Sequence, residues 1–92
     1  MATIPFLGMF FMHKSVHTAE YRALLRWLKQ ARLDGGLTMD AAGAKVKKPS
    51  SWVAKTECGE RRLDVLEFIL YCRALRVSPR HGIGIITALI KD

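Results

Sequence analysis

The sequence is short of acidic residues, of cysteine and of any long apolar run, and each shortage excludes something. With 8 Asp+Glu against 15 Lys+Arg, its formal net charge is +7. That excess favours a polyanionic partner, and nucleic acid is the commonest one. Its two cysteines, Cys58 and Cys72, lie far apart and lack C-x-x-C or Cys/His spacing. His13, His17 and His81 do not complete such a pattern, so no metal site is expected and both thiols are expected to be reduced. No apolar stretch approaches the ~20 residues a spanning helix needs, so no membrane role is expected. The opening MATIPFLGMFFM lacks a basic n-region and a cleavage pattern, which argues against secretion. No phosphate-cradling glycine loop, nucleophile elbow or spaced pair of acids is present, so neither an enzyme nor a cofactor is expected.

What is present is enough for one folded domain. Half of the 92 residues are hydrophobic, which sets the chain apart from disordered sequences and supports a single modest core. From Thr18 the pattern turns helical, with Thr18 as cap, Glu20 in the first turn and Tyr21, Leu24, Leu25, Leu28 and Ala31 on one stripe. Gly35-Gly36 marks its end near Asp34. A second helix starts at Thr38, with Asp40 in its first turn, and stops before Lys47-Lys48-Pro49. Residues 49–58 read as a third helix, with proline tolerated in the first turn and Gly59 ending it.

The fourth start is the clearest, since Asp64 and Glu67 have capping-box spacing and Leu63 and Phe68 that of a hydrophobic staple. Val65, Ile69, Cys72 and Leu75, joined by Phe68, form its expected buried stripe. A last element opens at Ser78-Pro79, and its body, GIGIITALI, fits neither the helical nor the strand period cleanly. Residues 38–59 thus hold two short helices joined by a short turn, which is helix-turn-helix spacing. The expected architecture is all-α with five helices over residues 18–92, preceded by a flexible N-terminal extension at residues 1–17.

Within this frame Gly36-Leu37-Thr38, then Pro49-Ser50-Ser51-Trp52-Val53-Ala54-Lys55, then Glu57-Cys58-Gly59-Glu60-Arg61-Arg62-Leu63-Asp64 form a long, specific string, followed by Ala74-Leu75-Arg76-Val77-Ser78-Pro79. The string resembles the Cro/repressor-like helix-turn-helix family, also called the xenobiotic-response-element (XRE) type. The resemblance runs from about Tyr21 to Pro79 and implies a five-helix, lambda-repressor-like domain whose third helix enters the major groove of double-stranded DNA. By position it implies base contacts from Ser50, Ser51, Trp52 and Lys55, since hydroxyls serve either donor or acceptor edges and lysine suits guanine acceptors. It implies phosphate contacts from Thr38, Lys47, Lys48, Arg61 and Arg62. It also implies that Glu57 pairs with Arg32 as a structural ion pair rather than a catalytic one.

Simpler readings of the same residues stand beside these. Ser50 and Ser51 also suit the first turn of any helix, Lys55 and the Lys45-Lys47-Lys48 cluster also suit a solvated face, and Trp52 suits packing on the domain as well as stacking on DNA. The string departs from the family pattern in helix two. Met39 stands where Gln is common, Ala42 where Leu is usual, Gly43 where Ala is usual, and Lys47 where the turn carries Gly. Glycine inside a helix costs roughly 1 kcal/mol against alanine, so helix two is the expected weak point. The functional expectation is a bacterial or phage-type transcriptional regulator acting in the cytoplasm on the nucleoid, as a homodimer through the tail residues Ile83, Ile85, Ile86, Leu89 and Ile90. The alternative is an antitoxin-like or adaptor module on the same fold, which binds protein through Trp52 and the tail.

Overall fold

The computed structural model describes residues 18–90, and among them are five helices and no strand. The helices are α1 (Ala19–Asp34), α2 (Met39–Lys45), α3 (Ser50–Cys58), α4 (Val65–Ala74) and α5 (Pro79–Leu89). The extension expected at residues 1–17 lies outside the described residues. No helix among those described is long and apolar enough to cross a membrane.

Starts and stops follow local chemistry. Thr18 and Thr38 cap α1 and α2 by accepting the N–H groups of Tyr21 (3.2 Å) and Ala41 (3.0 Å). At α4 the capping box is complete, with Glu67 N–H donating to Asp64 (2.7 Å) and Asp64 N–H donating to Glu67 (3.1 Å). Pro49 sits just ahead of α3 rather than inside it, in extended conformation and with no side chain able to cap.

The first four helices share one ending: a left-handed residue, then an N–H that returns to the carbonyl five residues back. These bonds are Leu37 to Arg32 (3.1 Å), Lys48 to Gly43 (2.9 Å), Glu60 to Lys55 (2.9 Å) and Val77 to Cys72 (3.0 Å). The left-handed residues are Gly36, Lys47, Gly59 and Arg76. Lys47 (φ 60°) and Arg76 (φ 61°) hold that conformation with a side chain attached, which costs of order 1–2 kcal/mol at each.

The core joins Leu24, Leu25 and Leu28 of α1 to Ala42 of α2, Val53 of α3 and Phe68, Tyr71, Cys72 and Leu75 at α4. Each large side chain sealed here contributes roughly 1.5–3 kcal/mol. The α4 stripe differs from the expected one. Phe68, Tyr71, Cys72 and Leu75 face inward, whereas Val65 is 75% and Ile69 37% exposed. Leu63 packs against the same cluster as Phe68, as the staple requires.

The ambiguous last segment is a helix, and Gly82 shows why it carries glycine. A Cβ there would fall 2.8 Å from Trp27, 2.9 Å from Phe68 and 3.0 Å from Leu24, so the missing side chain is what lets α5 cross α1. His81 stacks on Trp27 beside it, with ring centroids 5.4 Å apart. In the tail, Ile83, Leu89 and Ile90 are exposed, while Ile85 and Ile86 are half-buried and Ile86 packs on the core.

Gly43 has a similar reason. A Cβ there would lie 2.5 Å from the Lys48 carbonyl oxygen and 3.1 Å from that of Pro49, both backbone atoms that cannot swing away. The glycine read as a weakness of helix two is what lets the turn and α3 close onto it. Met39, Leu37 and Val46 pack against the core that the buried Ala42 joins.

Two alanine substitutions should therefore diverge. Gly43→Ala is expected to destabilise by about 1–3 kcal/mol through overpacking, despite its better helix propensity. Gly84→Ala, where a Cβ meets nothing within 4 Å, is expected to stabilise by about 0.5–1 kcal/mol. Urea unfolding of both variants reads the difference, and equal effects would contradict the close approach.

Candidate nucleic-acid interface

The site is built on α3, whose two faces are sorted by burial. Val53 and Thr56 are sealed in the core, so the opposite face points outward. On that face Ser51, Lys55 and Cys58 are exposed at spacings of four and three, one above the other along the helix. Ser50 is half-buried. Of the four residues placed against bases by the resemblance, Ser51 and Lys55 thus share one exposed stripe and Ser50 lies at its edge. Trp52 lies apart, turned into the domain.

Trp52 is half-buried and meets Tyr71 edge-on, with ring centroids 5.4 Å apart. The guanidinium of Arg61 lies over the Trp52 ring, 5.0 Å from its centroid. Arg61 Nη2 donates to both carboxylate oxygens of Glu67, at 3.0 and 2.9 Å. The same carboxylate closes the α4 capping box, so Glu67 serves two ends at once. Sequence reading gave Arg61 no intramolecular partner, and its i, i+6 relation to Glu67 across a loop has no periodic signature. Two donors in this stack, Trp52 Nε1 and Arg61 Nη1, are buried and have no hydrogen-bond acceptor among the described residues.

The residues placed against phosphate surround α3. Lys47 and Lys48 are exposed in the turn that precedes it, and Lys45 is exposed at the end of α2. Arg62 is exposed after it, close to the Tyr21 hydroxyl that accepts the Leu63 N–H at 3.0 Å. Thr38 is exposed at the α2 N-terminus, where its oxygen already accepts the Ala41 N–H.

Beneath this surface, α3 is anchored by the ion pair named from the sequence. Arg32 donates Nε to Glu57 at 2.5 Å and Nη2 to its other oxygen at 3.1 Å. A third donor, Nη1, reaches the Leu37 carbonyl at 2.8 Å. Both side chains are nearly sealed, at 7% and 6% exposed. The hydrogen bond to Glu57 raises the Arg32 pKa above its ordinary value, so the guanidinium is always charged. Tyr71, fully buried nearby, is pushed up to about 12, first by burial and then by the negative charge of Glu57. Burial also pushes the Cys72 thiol up to about 11. Among the described residues no group of three or more His, Cys, Asp or Glu is placed to hold a metal ion.

The chain is similar to a solved structure, an XRE-family like protein from Pseudomonas syringae pv. tomato str. DC3000. The two share 40% identity and a TM-score of 0.75, over 85% of this chain and 95% of that one. No family profile matches the chain, and no curated protein does.

Two predictions follow from the anchor and its neighbours. Glu57→Ala should cost about 3–5 kcal/mol, because it leaves Arg32 charged and sealed, whereas the paired change Arg32→Met with Glu57→Leu should cost much less. Chemical denaturation of the three proteins measures this, and an equal cost for single and double changes would contradict it. The second concerns pH. Cys72 and Tyr71 are neutral in the fold, with pKa values raised from 9.0 to about 11 and from 10.0 to about 12. Their contribution is therefore complete below about pH 9 and lost as pH rises towards about 12. Unfolding midpoints should fall across that window, and Tyr71→Phe should flatten its upper part.

Proposed function

The chain belongs to the XRE family, and from that premise we propose that it is a sequence-specific, double-stranded DNA-binding transcriptional regulator that lays α3 in the major groove. The observation that carries this reading is the division of α3 into two faces. Val53 and Thr56 are locked inside while Ser51 and Lys55 stand exposed one turn apart, flanked by exposed lysines on one side and arginines on the other.

Ser51 and Lys55 then address base edges, with Ser50 at the margin of the contact. Lys47, Lys48, Arg62 and the Thr38 hydroxyl meet phosphates and set the depth of the helix in the groove. Trp52 and Arg61 act together. Trp52 Nε1 and Arg61 Nη1 are buried, so the phosphate contact of Arg61 runs through the part of its side chain that stays exposed. The Glu67 carboxylate holds Arg61 ready for it. Trp52 thereby contributes mainly as a support for Arg61, with its ring edge at the groove wall. No catalytic group takes part.

The protein acts as a homodimer, so that two copies of α3 enter successive major grooves about 34 Å apart. The working compartment is the cytoplasm, on the nucleoid. An interaction module without DNA binding is the competing reading, and it draws on the large apolar residues left exposed on α4.

Selection of bound duplexes from a random pool tests the proposal. Lys55→Ala and Ser51→Ala should each relax preference at one base position, at a cost of about 1–3 kcal/mol, whereas Lys48→Ala should weaken binding to all sequences and lower the salt slope by about 1. Absence of any salt-sensitive binding at low ionic strength would reject DNA contact and favour the interaction module.

A further inference from the structure

The outer side of α1 carries charge that nothing in the domain answers. Arg22, Arg26 and Lys29 are exposed at spacings of four and three, so they stand in one row along about 10 Å of the helix. None of the three has an ion pair among the described residues. Like charges at these spacings repel one another, and Arg22 also lies close to the positive end of the helix dipole. The two acids of α1 do not relieve this. Glu20 is two positions from Arg22 and faces away from it, and Asp34 is held by Gln30 Nε2 at 2.8 Å. Leu24, Leu25 and Leu28 supply the buried face of the helix, so the row has no part in the core.

The row borders the surface proposed to meet DNA. Arg62, in the loop after α3, shares a cleft with Thr18, Glu20 and Tyr21, and the Tyr21 hydroxyl accepts the Leu63 N–H at 3.0 Å. Arg22 is the next residue along α1. At the far end of the row, Lys29 stands one turn before Arg32, whose guanidinium holds Glu57 at the last turn of α3. Arg32 and Tyr21 are about 16 Å apart along the helix, and the six residues from Glu57 to Leu63 reach up to about 20 Å. The loop carrying Arg61 and Arg62 therefore runs back along α1, beside the row.

We infer that Arg22, Arg26 and Lys29 form a second phosphate-binding row, which extends the contact made by α3 and its loop along one strand of the duplex, outside the groove that α3 enters. The inference rests on the DNA reading and adds a surface to it. Charge and length select the occupant. Three cations with no acid among them repel a second copy of this basic chain. An acidic protein would need an apolar anchor, and no exposed large hydrophobic lies among the three. A duplex strand presents one phosphate for about every 3.4 Å of its axis, so the row spans about three of them. Contacts of this kind position the protein without reading bases. The row therefore adds affinity and salt dependence, and no sequence preference.

Binding of the full chain to duplex DNA, measured by fluorescence anisotropy from about 50 to 200 mM salt, tests this. Arg22→Gln combined with Arg26→Gln should lower the slope of log affinity against log salt by about 2 and weaken binding at least tenfold. Lys29→Gln alone should lower the slope by about 1. Base preference in duplexes selected from a random pool should stay that of the wild type. Arg73→Gln combined with Arg80→Gln removes the same charge from exposed sites on α4 and α5, and should leave the slope unchanged. Urea midpoints at or above that of the wild type in both double variants show that the loss is one of contact rather than of folding. A wild-type slope in the α1 variants, or an equal loss in the two double variants, would overturn the inference while the DNA reading stands. A wild type that binds no duplex at low salt rejects the DNA reading and the second row together.

Discussion

The fork between Arg32 and Glu57 is the contact on which the placement of α3 depends. Arg32 closes the last turn of α1, its third donor holds the Leu37 carbonyl in the connection to α2, and Glu57 belongs to the last turn of α3. One side chain thereby ties together three segments that also share the core. A sealed ion pair gains little net stability over an apolar replacement, because taking two charges out of water costs about as much as their attraction returns. Its effect here is geometric. A planar guanidinium accepts a carboxylate in one orientation, and that orientation sets the rotation of α3 about its own axis. Val53 and Thr56 then turn inward together, and Ser51 and Lys55 turn outward as a consequence.

What could be read from the sequence follows the range of the interactions involved. The capping box at Asp64 and Glu67, the threonine caps and the glycine at the end of α3 are local, and the residues that make them are neighbours in the chain. The Arg32–Glu57 pair spans 25 positions and was accessible only through family resemblance. The α4 stripe shows where periodicity runs out. Val65 and Ile69 share a helical spacing with Cys72, but Phe68 and Tyr71 share one with Leu75, and apolar residues occupy both sides of the helix. A pattern of that kind names two faces without saying which is inside. The second face is a consequence of the same composition.

Trp52 shows a related limit. Its position in α3 marks it for base contact by resemblance, whereas Tyr71 and Arg61, from outside α3, both pack on its ring. Neither neighbour is deducible from spacing, since one lies in the following helix and the other in the loop between. The pairing of Arg61 with Glu67 likewise converts a residue read as a loose phosphate contact into one held in place before any partner arrives. A cation already fixed by a carboxylate and an aromatic face loses less freedom on binding than one on a free stem.

Helix two carries the sharpest reversal. Judged by propensity, Gly43 in so short a helix looks like damage, and the side chain on left-handed Lys47 adds strain. Judged by packing, small residues are what the position demands. A seven-residue helix has too few internal hydrogen bonds to stand alone, so its neighbours hold it, and close approach is how they do so. The Lys48 carbonyl comes so near Gly43 that no side chain fits between them. The same approach keeps the turn short and brings Lys47 and Lys48 up beside the N-terminal end of α3. What helix two loses in its own preference it recovers as a fixed distance between the turn and the helix that follows, and that distance is the quantity a groove-reading helix requires.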